Sequence, residues 1–258
     1  MSEPKGAFRY SPGFFGGFTV VMAFFTRLPV DPRARDDWKL ADSAWAFPLV
    51  GAGIGAAAAL VFLLAQLLGL AGWPAGLLAV VASIAITGAL HEDGLADTAD
   101  GLFGGHDRDA RLAIMRDSRH GSFGVLAIVL SVLMRAAALA AIGDVIHGGL
   151  ALIAAHAASR AALPAIMWAL PPARADGLGA TAGIPRPAGV ATAAAIGAVV
   201  TLTALGPMRG AIALCIAGFA IFAVAWFAQR RVGGHTGDIL GAIEQTGEIV
   251  MLLAASAR

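Results

Sequence analysis

Cysteine is almost missing from this chain. Cys215 is the one cysteine among 258 residues, and it lies inside an apolar run. A single cysteine excludes a disulfide framework and a cysteine-based metal site. Charged residues are also scarce, at 14% of the chain against about 25% in an ordinary soluble domain. The net charge of +1 gives no basis for nucleic-acid binding.

The apolar residues that take the place of charge indicate a membrane protein. They make up 58% of the chain, and the mean hydropathy is +0.77. Six apolar segments are each near the roughly 20 residues that a transmembrane helix needs: Trp45 to Gly69, Trp73 to Leu90, Ser122 to Ile142, Ile146 to Leu170, Pro187 to Leu205 and Met208 to Phe227. Because lipid offers no hydrogen-bond partner to the backbone, these segments must be helices. We therefore predict an all-α, polytopic integral membrane helical bundle with about six transmembrane helices.

Both ends of the chain differ from these segments. Phe14 to Val30 is apolar but short and contains Arg27, so we predict an interfacial or half-buried helix. After Thr236, a possible N-cap, the apolar stripe that includes Ile239 and Ile243 predicts a C-terminal amphipathic helix. The N-terminus has no pattern of a removable signal peptide. Residues 1–258 are interpreted as one membrane-embedded catalytic domain, with an N-terminal cytoplasmic or interfacial region (1–44), a catalytic cytoplasmic loop (91–121) and a C-terminal helix region (230–258).

The distribution of Lys and Arg predicts the orientation in the membrane, because cytoplasmic loops collect these residues. Regions 1–44, 91–121, 171–186 and 230–258 contain six, four, two and three of them, while the opposite loops contain only Arg209. This predicts a multi-pass protein of the bacterial inner membrane with its polar loops in the cytoplasm. It also predicts water-soluble, cytoplasmic ligands.

The densest polar stretch runs from His91 to His120, with seven acidic residues and four arginines between two apolar segments. On a helix, Asp93, Asp97 and Asp100 (i, i+4, i+7) fall on one face. Clustered carboxylates at a hydrophobic boundary need a compensating cation. Oxygen ligands favour Mg²⁺ or Mn²⁺ over zinc, and we predict Mg²⁺ bound by these three residues together with Glu92.

Other interpretations of the acidic stretch are weaker. A solvated helix end followed by glycines is the ordinary one for an acidic cluster, but three aligned aspartates beside a membrane span argue against it. An EF-hand needs acids at alternate positions and a Glu at its twelfth. A zincin needs a second His at a fixed distance from His91-Glu92, and none is there.

Polar residues also occur inside the spans and after them. Arg135, His156 and Arg160 lie within apolar segments, where a charge faces either a polar cavity or a structural partner. A Gly-Gly turn at Gly233 and Gly234 leads into the C-terminal helix, whose free backbone amides can meet a phosphate. We predict that this helix closes over the acidic loop and completes the site.

Five stretches of the sequence resemble the cobalamin synthase family, the adenosylcobinamide-GDP ribazoletransferases. They are FFTRLPV at 24–30, FPLVGAGIG at 47–55, HEDGLADTADGLFGG at 91–105, IMRDSRHGSFG at 114–124 and GGHTGDILGAIEQTGE at 233–248. They occur in the family's order and extend over most of the chain. The two central stretches are long and specific.

The resemblance implies an Mg²⁺-dependent membrane enzyme. Such an enzyme joins adenosylcobinamide-GDP to α-ribazole or its 5′-phosphate, releases GMP and forms adenosylcobalamin or its phosphate. The expected partners are these small molecules and the lipid bilayer, with no nucleic acid and with oligomerisation left open.

Residue roles follow from placing this chemistry on the matching motifs. Positioning and charge neutralisation dominate phosphoryl transfer, so arginines are expected to grip phosphates and a free carboxylate, Asp117 or Asp238, to take the hydroxyl proton. The predicted catalytic residues are Asp93, Asp97, Asp100, Asp117 and Asp238. The predicted substrate-binding residues are Arg27, Arg116, Ser118, Arg119, Gly121, Arg160, Gly233, Gly234, Thr236, Gly237 and Glu248.

Two alternative functions were weighed. A CDP-alcohol phosphotransferase has analogous chemistry, but its motif has Arg after Ala where this chain has Asp97 after Ala96. A secondary transporter places charges near the bilayer midplane and usually shows repeated halves. This chain shows no clear repeat and concentrates its charge on one face, which favours an enzyme.

Overall fold

The computed structural model describes residues 14–30, 39–70, 72–117 and 119–257. Several predictions fall on other residues. Those on the basic residues Lys5, Arg9, Arg33, Arg35 and Arg258, and on Ser118, therefore lie outside the described residues.

The described chain is helical, and its elements follow the apolar segments closely. A 3₁₀ turn, Leu40–Ala46, leads into the second helix. The α-helices are α1 Phe14–Phe25, α2 Phe47–Leu67, α3 Trp73–Thr87, α4 Leu90–Gly104, α5 Arg108–Ile114, α6 Ser122–Ile142, α7 Val145–Ala169, α8 Leu178–Thr181, α9 Pro187–Leu205, α10 Pro207–Val232 and α11 Gly237–Ser256. The predicted class, an all-α polytopic membrane bundle, is confirmed.

Among the described residues, six helices are long and apolar enough to cross a membrane: α2 with its preceding turn, α6, α7, α9, α10 and α11. Five of them correspond to predicted spans. The sixth is α11, which the sequence analysis took for an amphipathic helix, and the predicted span from Trp73 to Leu90 is not among them.

That second predicted span is broken. Helix α3 ends at Thr87 after 15 residues, about 22 Å at 1.5 Å per residue, and α4 leaves it at an angle of 92°. Gly88 and Ala89 both take left-handed backbone angles at the break, with φ of 66° and 59°. Such angles are uncommon for a residue with a side chain. The pair is a broken span or a re-entrant segment, and it turns the acidic helix α4 across the bundle.

Helix α11 packs inside the bundle against α4, α6, α7 and α10. Its polar residues Glu244, Gln245 and Glu248 face the interior and are buried. The apolar stripe suggested a helix lying along the membrane, but here the polar face is also covered because other helices supply partners for it. Helix α11 is also long and apolar enough to cross a membrane, and the placement of region 230–258 on one side stays a prediction.

Glycines allow the closest helix contact, between α2 and α7. A Cβ at Gly55 would lie 2.6 Å from the Leu152 carbonyl oxygen, and one at Gly51 would overlap the His156 carbonyl. Small residues at these two positions permit the close packing, whereas Gly53 faces open space. This contact fixes α7 at the centre of the bundle.

Candidate functional site

Helix α4 divides its acidic residues between two directions. Glu92 is buried, while the neighbouring Asp93 is exposed at the surface of the bundle. Asp97, one turn further along the helix, is partly exposed on the same side as Asp93. The predicted alignment of Asp93 with Asp97 is therefore present, and Glu92 points away from it.

A histidine that the sequence analysis did not select joins these two aspartates. His120 Nε2 lies 3.9 Å from Asp93 Oδ1, and His120 Nδ1 lies 3.8 Å from Asp97 Oδ1. One ligand atom from each of the three residues lies within 4.8 Å of the others, which is close enough for one ion. His120 stands far along the chain from Asp97, so no local spacing could have revealed it. Its place within the IMRDSRHGSFG stretch was the available signal.

Asp100 is the third predicted ligand, and the structure gives it another role. Its carboxylate accepts hydrogen bonds from the backbone N–H groups of Gly121 (2.7 Å) and Gly124 (2.9 Å). These amides begin α6, whose own N-cap residue is the side-chain-free Gly121. Asp100 therefore caps a neighbouring helix, and both its oxygens are engaged. A Cβ at Gly121 would lie 2.6 Å from Asp100 Oδ1, so Gly121 permits this contact and its assigned part in substrate binding has no support here.

Three more predicted site residues, Glu92, Arg160 and Glu248, lie in the interior. Arg135 Nη2 lies 2.9 Å from Glu92 Oε1, and its Nη1 lies 2.8 Å from Glu248 Oε1. Arg160 Nη1 lies 2.5 Å from Glu244 Oε1. These side chains are at most 6% exposed, so they bind one another and not a ligand at the surface. Charges within a bundle need such partners, which corrects the assignment of Glu92 to metal and of Arg160 and Glu248 to substrate.

The first turn of α11 lies directly against α4, as predicted. A Cβ at Gly94 would come within 2.9 Å of the Asp238 carbonyl oxygen and 3.3 Å of the Gly241 Cα. Thr236 is the N-cap, and its hydroxyl accepts a hydrogen bond from the Ile239 N–H. This contact of two helices through glycines brings Asp238 to the same edge of the bundle as Asp93.

The carboxylate of Asp238 has two polar partners. Arg174 Nη2 lies 3.3 Å from Asp238 Oδ2, and the Thr236 hydroxyl donates to the same oxygen at 3.1 Å. Arg174 was noted in the sequence only as part of a polar loop. It now connects that loop to the end of α11, and its Nη1 is buried without a hydrogen-bond partner.

The glycine turn before α11 serves a backbone contact. Gly233 ends α10 with a left-handed φ of 81°, and a Cβ at Gly234 would overlap the Pro171 carbonyl oxygen. The His235 N–H donates to Pro171 O at 2.9 Å, and the Ala173 N–H donates to His235 O at 2.8 Å. Burial lowers the pKa of His235, so its imidazole is neutral near pH 7. The turn therefore holds the 171–174 segment in place.

The remaining predicted residues lie at the surface of this end. Arg116 forms a two-point contact with Asp176, at 2.6 and 2.8 Å. Arg119 pairs with Asp117 at 2.6 Å, and its side-chain hydrogen bond lowers the pKa of Asp117 to about 2. Arg27 is exposed and covers Gly88 at the break between α3 and α4. No contact of Arg27, Arg116 or Arg119 with Asp93 or Asp97 is present in the described part of the chain.

Two cavities flank the Arg174–Asp238 pair. The larger has a volume of about 710 Å³, is open, and is lined by three arginines, Arg108, Arg116 and Arg174. The smaller has a volume of about 120 Å³ and is mainly apolar, with Asp93 and Asp238 in its wall. We name them the basic cleft and the apolar pocket. A pair of exposed carboxylates beside a basic cleft is suited to a phosphate-bearing ligand accompanied by a divalent cation.

Comparisons with known proteins show the family of the chain. Residues 17–256 match the family described as cobalamin-5-phosphate synthase. A protein of Bradyrhizobium diazoefficiens is 50% identical over 239 residues, covering 92% of both chains. Proteins of Mesorhizobium japonicum (45% identical, 91% of this chain and 90% of the relative) and Azorhizobium caulinodans (43% identical, 90% and 92%) are also similar. All three are named adenosylcobinamide-GDP ribazoletransferase.

No solved structure is significantly similar to the chain. The similarity to the sequence family nevertheless runs from α1 to the end of α11, and it includes every residue of the site just described. The chain therefore belongs to the cobalamin-5-phosphate synthase family.

Proposed function

We propose that this protein joins adenosylcobinamide-GDP to α-ribazole, or to α-ribazole 5′-phosphate, and releases GMP. The products are adenosylcobalamin or its 5′-phosphate. One observation carries the proposal: the chain aligns with about nine-tenths of the length of relatives named for this reaction.

The proposed metal is Mg²⁺, held by Asp93 and Asp97. Their exposure and the distances among Asp93, Asp97 and His120 fit a single small cation. Mg²⁺ typically takes one or two carboxylates and keeps several waters, and an imidazole is an unusual direct ligand for it. Asp93 and Asp97 would therefore hold the ion through their carboxylates, and His120 would be a nearby hydrogen-bonding group. When bound, the ion would neutralise charge on the diphosphate.

The reaction itself is a displacement at phosphorus. A ribose hydroxyl oxygen of α-ribazole forms a bond to the cobinamide-side phosphorus of the diphosphate. The bond from that phosphorus to the bridging oxygen breaks, and the oxygen leaves with GMP. The hydroxyl proton must go to a base, and no oxidation takes place.

Asp238 is the better placed of the two predicted proton acceptors. It lines the apolar pocket together with Asp93, whereas the exposed Asp117 is engaged by Arg119. The low pKa of Asp117, about 2, also makes it a weak base. We therefore assign Asp238 as the group that takes the hydroxyl proton.

The basic cleft is the proposed position of the nucleotide's phosphates. Its volume, about 710 Å³, is within the range of about 300–1,000 Å³ common for small-molecule sites. Arg174 has a buried nitrogen without a partner, so it can bind a further acceptor without first losing one. Guanidinium groups also match phosphate oxygens in geometry.

The orientation remains as proposed from the basic loops, with this end of the bundle in the cytoplasm of a bacterial inner membrane. Single-cysteine variants at His106 and Arg209, exposed on opposite ends, test it with a membrane-impermeant thiol reagent. The native Cys215 is replaced by Ser in both. We expect labelling at 209 and protection at 106 in intact cells, and the reverse would overturn the orientation.

The decisive assay is GMP release by the purified protein in detergent. We expect release only when adenosylcobinamide-GDP, α-ribazole or its phosphate, and Mg²⁺ are all present, and we expect EDTA to stop it. CMP release from a CDP-alcohol in place of GMP would favour the phosphotransferase alternative. No release with any ribazole substrate would refute the proposal.

A further inference from the structure

The apolar pocket lies beside the acidic pair and has no role in the chemistry assigned so far. It is enclosed by α1, the 3₁₀ turn, α2, α4, α7, α8 and α11. Three phenylalanines, Phe24, Phe25 and Phe47, form one wall, and Leu163 and Met167 of α7 form another. The polar lining residues include His91, Asp93 and Asp238. The pocket is thus an aromatic and aliphatic recess whose charged residues belong to the site.

The size of the pocket limits what it can hold. Its volume of about 120 Å³ is well below the range of about 300–1,000 Å³ for sites that enclose a whole drug-sized molecule. An apolar cavity of about 150 Å³ is large enough for benzene. At about 120 Å³ the pocket is somewhat smaller than that, so it is suited to the apolar edge of one aromatic ring system whose remainder stays outside, and it is far too small for a corrin ring.

Two of the three polar residues named in the lining, Asp238 and His91, are already engaged, and Asp93 lies at the exposed edge of the pocket. Asp238 interacts with Arg174 and Thr236, and His91 lies 3.3 Å from Arg160 and 3.6 Å from Glu244. A guanine base would bring amide and amino groups that need new partners, and burying them unpaired is unfavourable. The dimethylbenzimidazole base of α-ribazole has an apolar edge with two methyl groups. The lining therefore favours the benzimidazole over the guanine.

The apolar pocket lies next to the residues that we assign to the reaction. Asp93 belongs both to the pocket wall and to the group with Asp97 and His120. Asp238, the proposed proton acceptor, lines the same pocket. A base held among the phenylalanines would leave its attached ribose at the edge formed by these two carboxylates, which is where the attacking hydroxyl is required.

We propose that the apolar pocket binds the benzimidazole base of α-ribazole and so sets the position of its ribose. This inference rests on the proposed function, since it assigns one of the two substrates of that reaction to a subsite. It makes Phe24, Leu163 and Met167 specificity residues that contact the base. Asp93 and Asp238 then lie at the ribose end.

The test places a larger side chain in the pocket and measures the KM for each substrate separately. Ala182 lines the pocket, and its backbone N–H and carbonyl groups make hydrogen bonds that a side-chain change leaves in place. Ala182→Leu should raise the KM for α-ribazole by about tenfold or more, since about 1.4 kcal/mol of lost binding corresponds to tenfold. The KM for adenosylcobinamide-GDP should change by less than about twofold. Ala188→Leu, at an exposed position on nearby α9, is the matched control and should behave as wild type.

A second variant keeps the proposal testable if Ala182→Leu does not fold. Leu178 lines the pocket yet is 55% exposed, so Leu178→Ala should fold normally and raise only the KM for α-ribazole, by a few-fold. Equilibrium dialysis of radiolabelled α-ribazole should show the same order of affinity, with wild type above Leu178→Ala and Leu178→Ala above Ala182→Leu.

The possible outcomes separate the two proposals. Wild-type protein that releases no GMP would refute the proposed function itself. With active wild type, a rise in the KM for adenosylcobinamide-GDP alone would assign the pocket to guanine and overturn the inference. Unchanged KM values for both substrates in folded Ala182→Leu would also overturn it, because they would leave the pocket to a lipid chain or to no ligand.

Discussion

Two groups of acidic residues share the same two helices and have opposite surroundings. On α4, Glu92 is buried and Asp93 is exposed. On α11, Glu244 and Glu248 are buried, while Asp238 lies at the end of the bundle. We call Glu92, Glu244 and Glu248, with Arg135 and Arg160, the inner group, and Asp93, Asp97 and Asp238 the outer group.

The difference lies in the partners. Arginines contact all three inner glutamates at 2.5 to 2.9 Å, which offsets the cost of burying them. Asp93 and Asp97 have His120 as their nearest basic side chain among the described residues, at 3.8 to 3.9 Å. The arginine-paired glutamates inside the bundle hold helices together, whereas Asp93 and Asp97, which have no arginine partner, remain available to a cation. The inner acids therefore have a structural role, and Asp93 and Asp97 are the acids available for chemistry.

The largest effect should come from removing an outer carboxylate. Asp97→Asn should reduce GMP release by about a hundredfold or more, since even residues that only support a metal ligand contribute about 10- to 100-fold. The thermal unfolding of the detergent-solubilised protein should be unchanged because Asp97 has no arginine partner. Asp144→Asn, at the opposite end and still able to cap α7, is the control. If Asp97→Asn released GMP at the wild-type rate, the assignment of the outer acids to chemistry and of the inner acids to structure would be wrong.

Breaking the inner group should affect stability first. Arg135→Met leaves Glu92 buried without its arginine and leaves Glu248 with His156 as its nearest partner, and breaking a buried pair in this way lowers the free energy of unfolding by about 3–5 kcal/mol. Chemical denaturation in mixed micelles measures it. Adding Glu92→Gln and Glu248→Gln to Arg135→Met should recover much of the stability. If the triple variant is no more stable than the single one, uncompensated charge is not the cause.

Asp100 belongs to neither group, so a variant at this position tests the difference between them. Asp100→Ala should lower the free energy of unfolding by about 1–2 kcal/mol, the usual effect of losing a helix cap. The affinity of the Asp100→Ala variant for Mn²⁺ should stay within about twofold of that of the wild type. The opposite result, weak Mn²⁺ binding with normal stability, would return Asp100 to the metal site.

The smallest effect concerns Asp117, which Arg119 neutralises at the surface. The pKa of Asp117 is lowered from 3.8 to about 2, so the pair contributes stability above about pH 4 and loses it as the pH falls toward 2. Arg119→Gln should reduce this acid dependence slightly, because exposed pairs are screened by solvent. Unfolding temperatures at pH 6 and pH 3, compared with wild type, measure it. A larger loss than that of Arg135→Met would reverse the order proposed here.

The sequence predicted most of the fold because span length and hydropathy are local properties. It could not predict the break at Gly88 and Ala89, since an alanine with a φ of 59° gives no sign in the sequence. It also did not count α11 among the spans, because the polar face of that helix is explained only by arginines on α6 and α7.

The candidate site shows the same limit. Helical spacing correctly grouped Asp93 with Asp97 and predicted the contact of α11 with α4. Spacing alone could not show that Glu92 turns inward, that Asp100 caps α6 or that His120 approaches from another segment. Those facts depend on partners distant in the chain.

Asp93 and Asp97 of the outer group are expected to bind the divalent cation, and the inner group is not. This expectation deserves a direct test because His156, Glu244 and Glu248 also bring ligand atoms within 4.8 Å of one another. Mn²⁺ binding followed by electron paramagnetic resonance compares Asp97→Asn with His156→Gln. The account predicts that Asp97→Asn loses the bound Mn²⁺ and His156→Gln keeps it, since Arg160 already neutralises the inner site. Loss of Mn²⁺ in His156→Gln with retention in Asp97→Asn would contradict it.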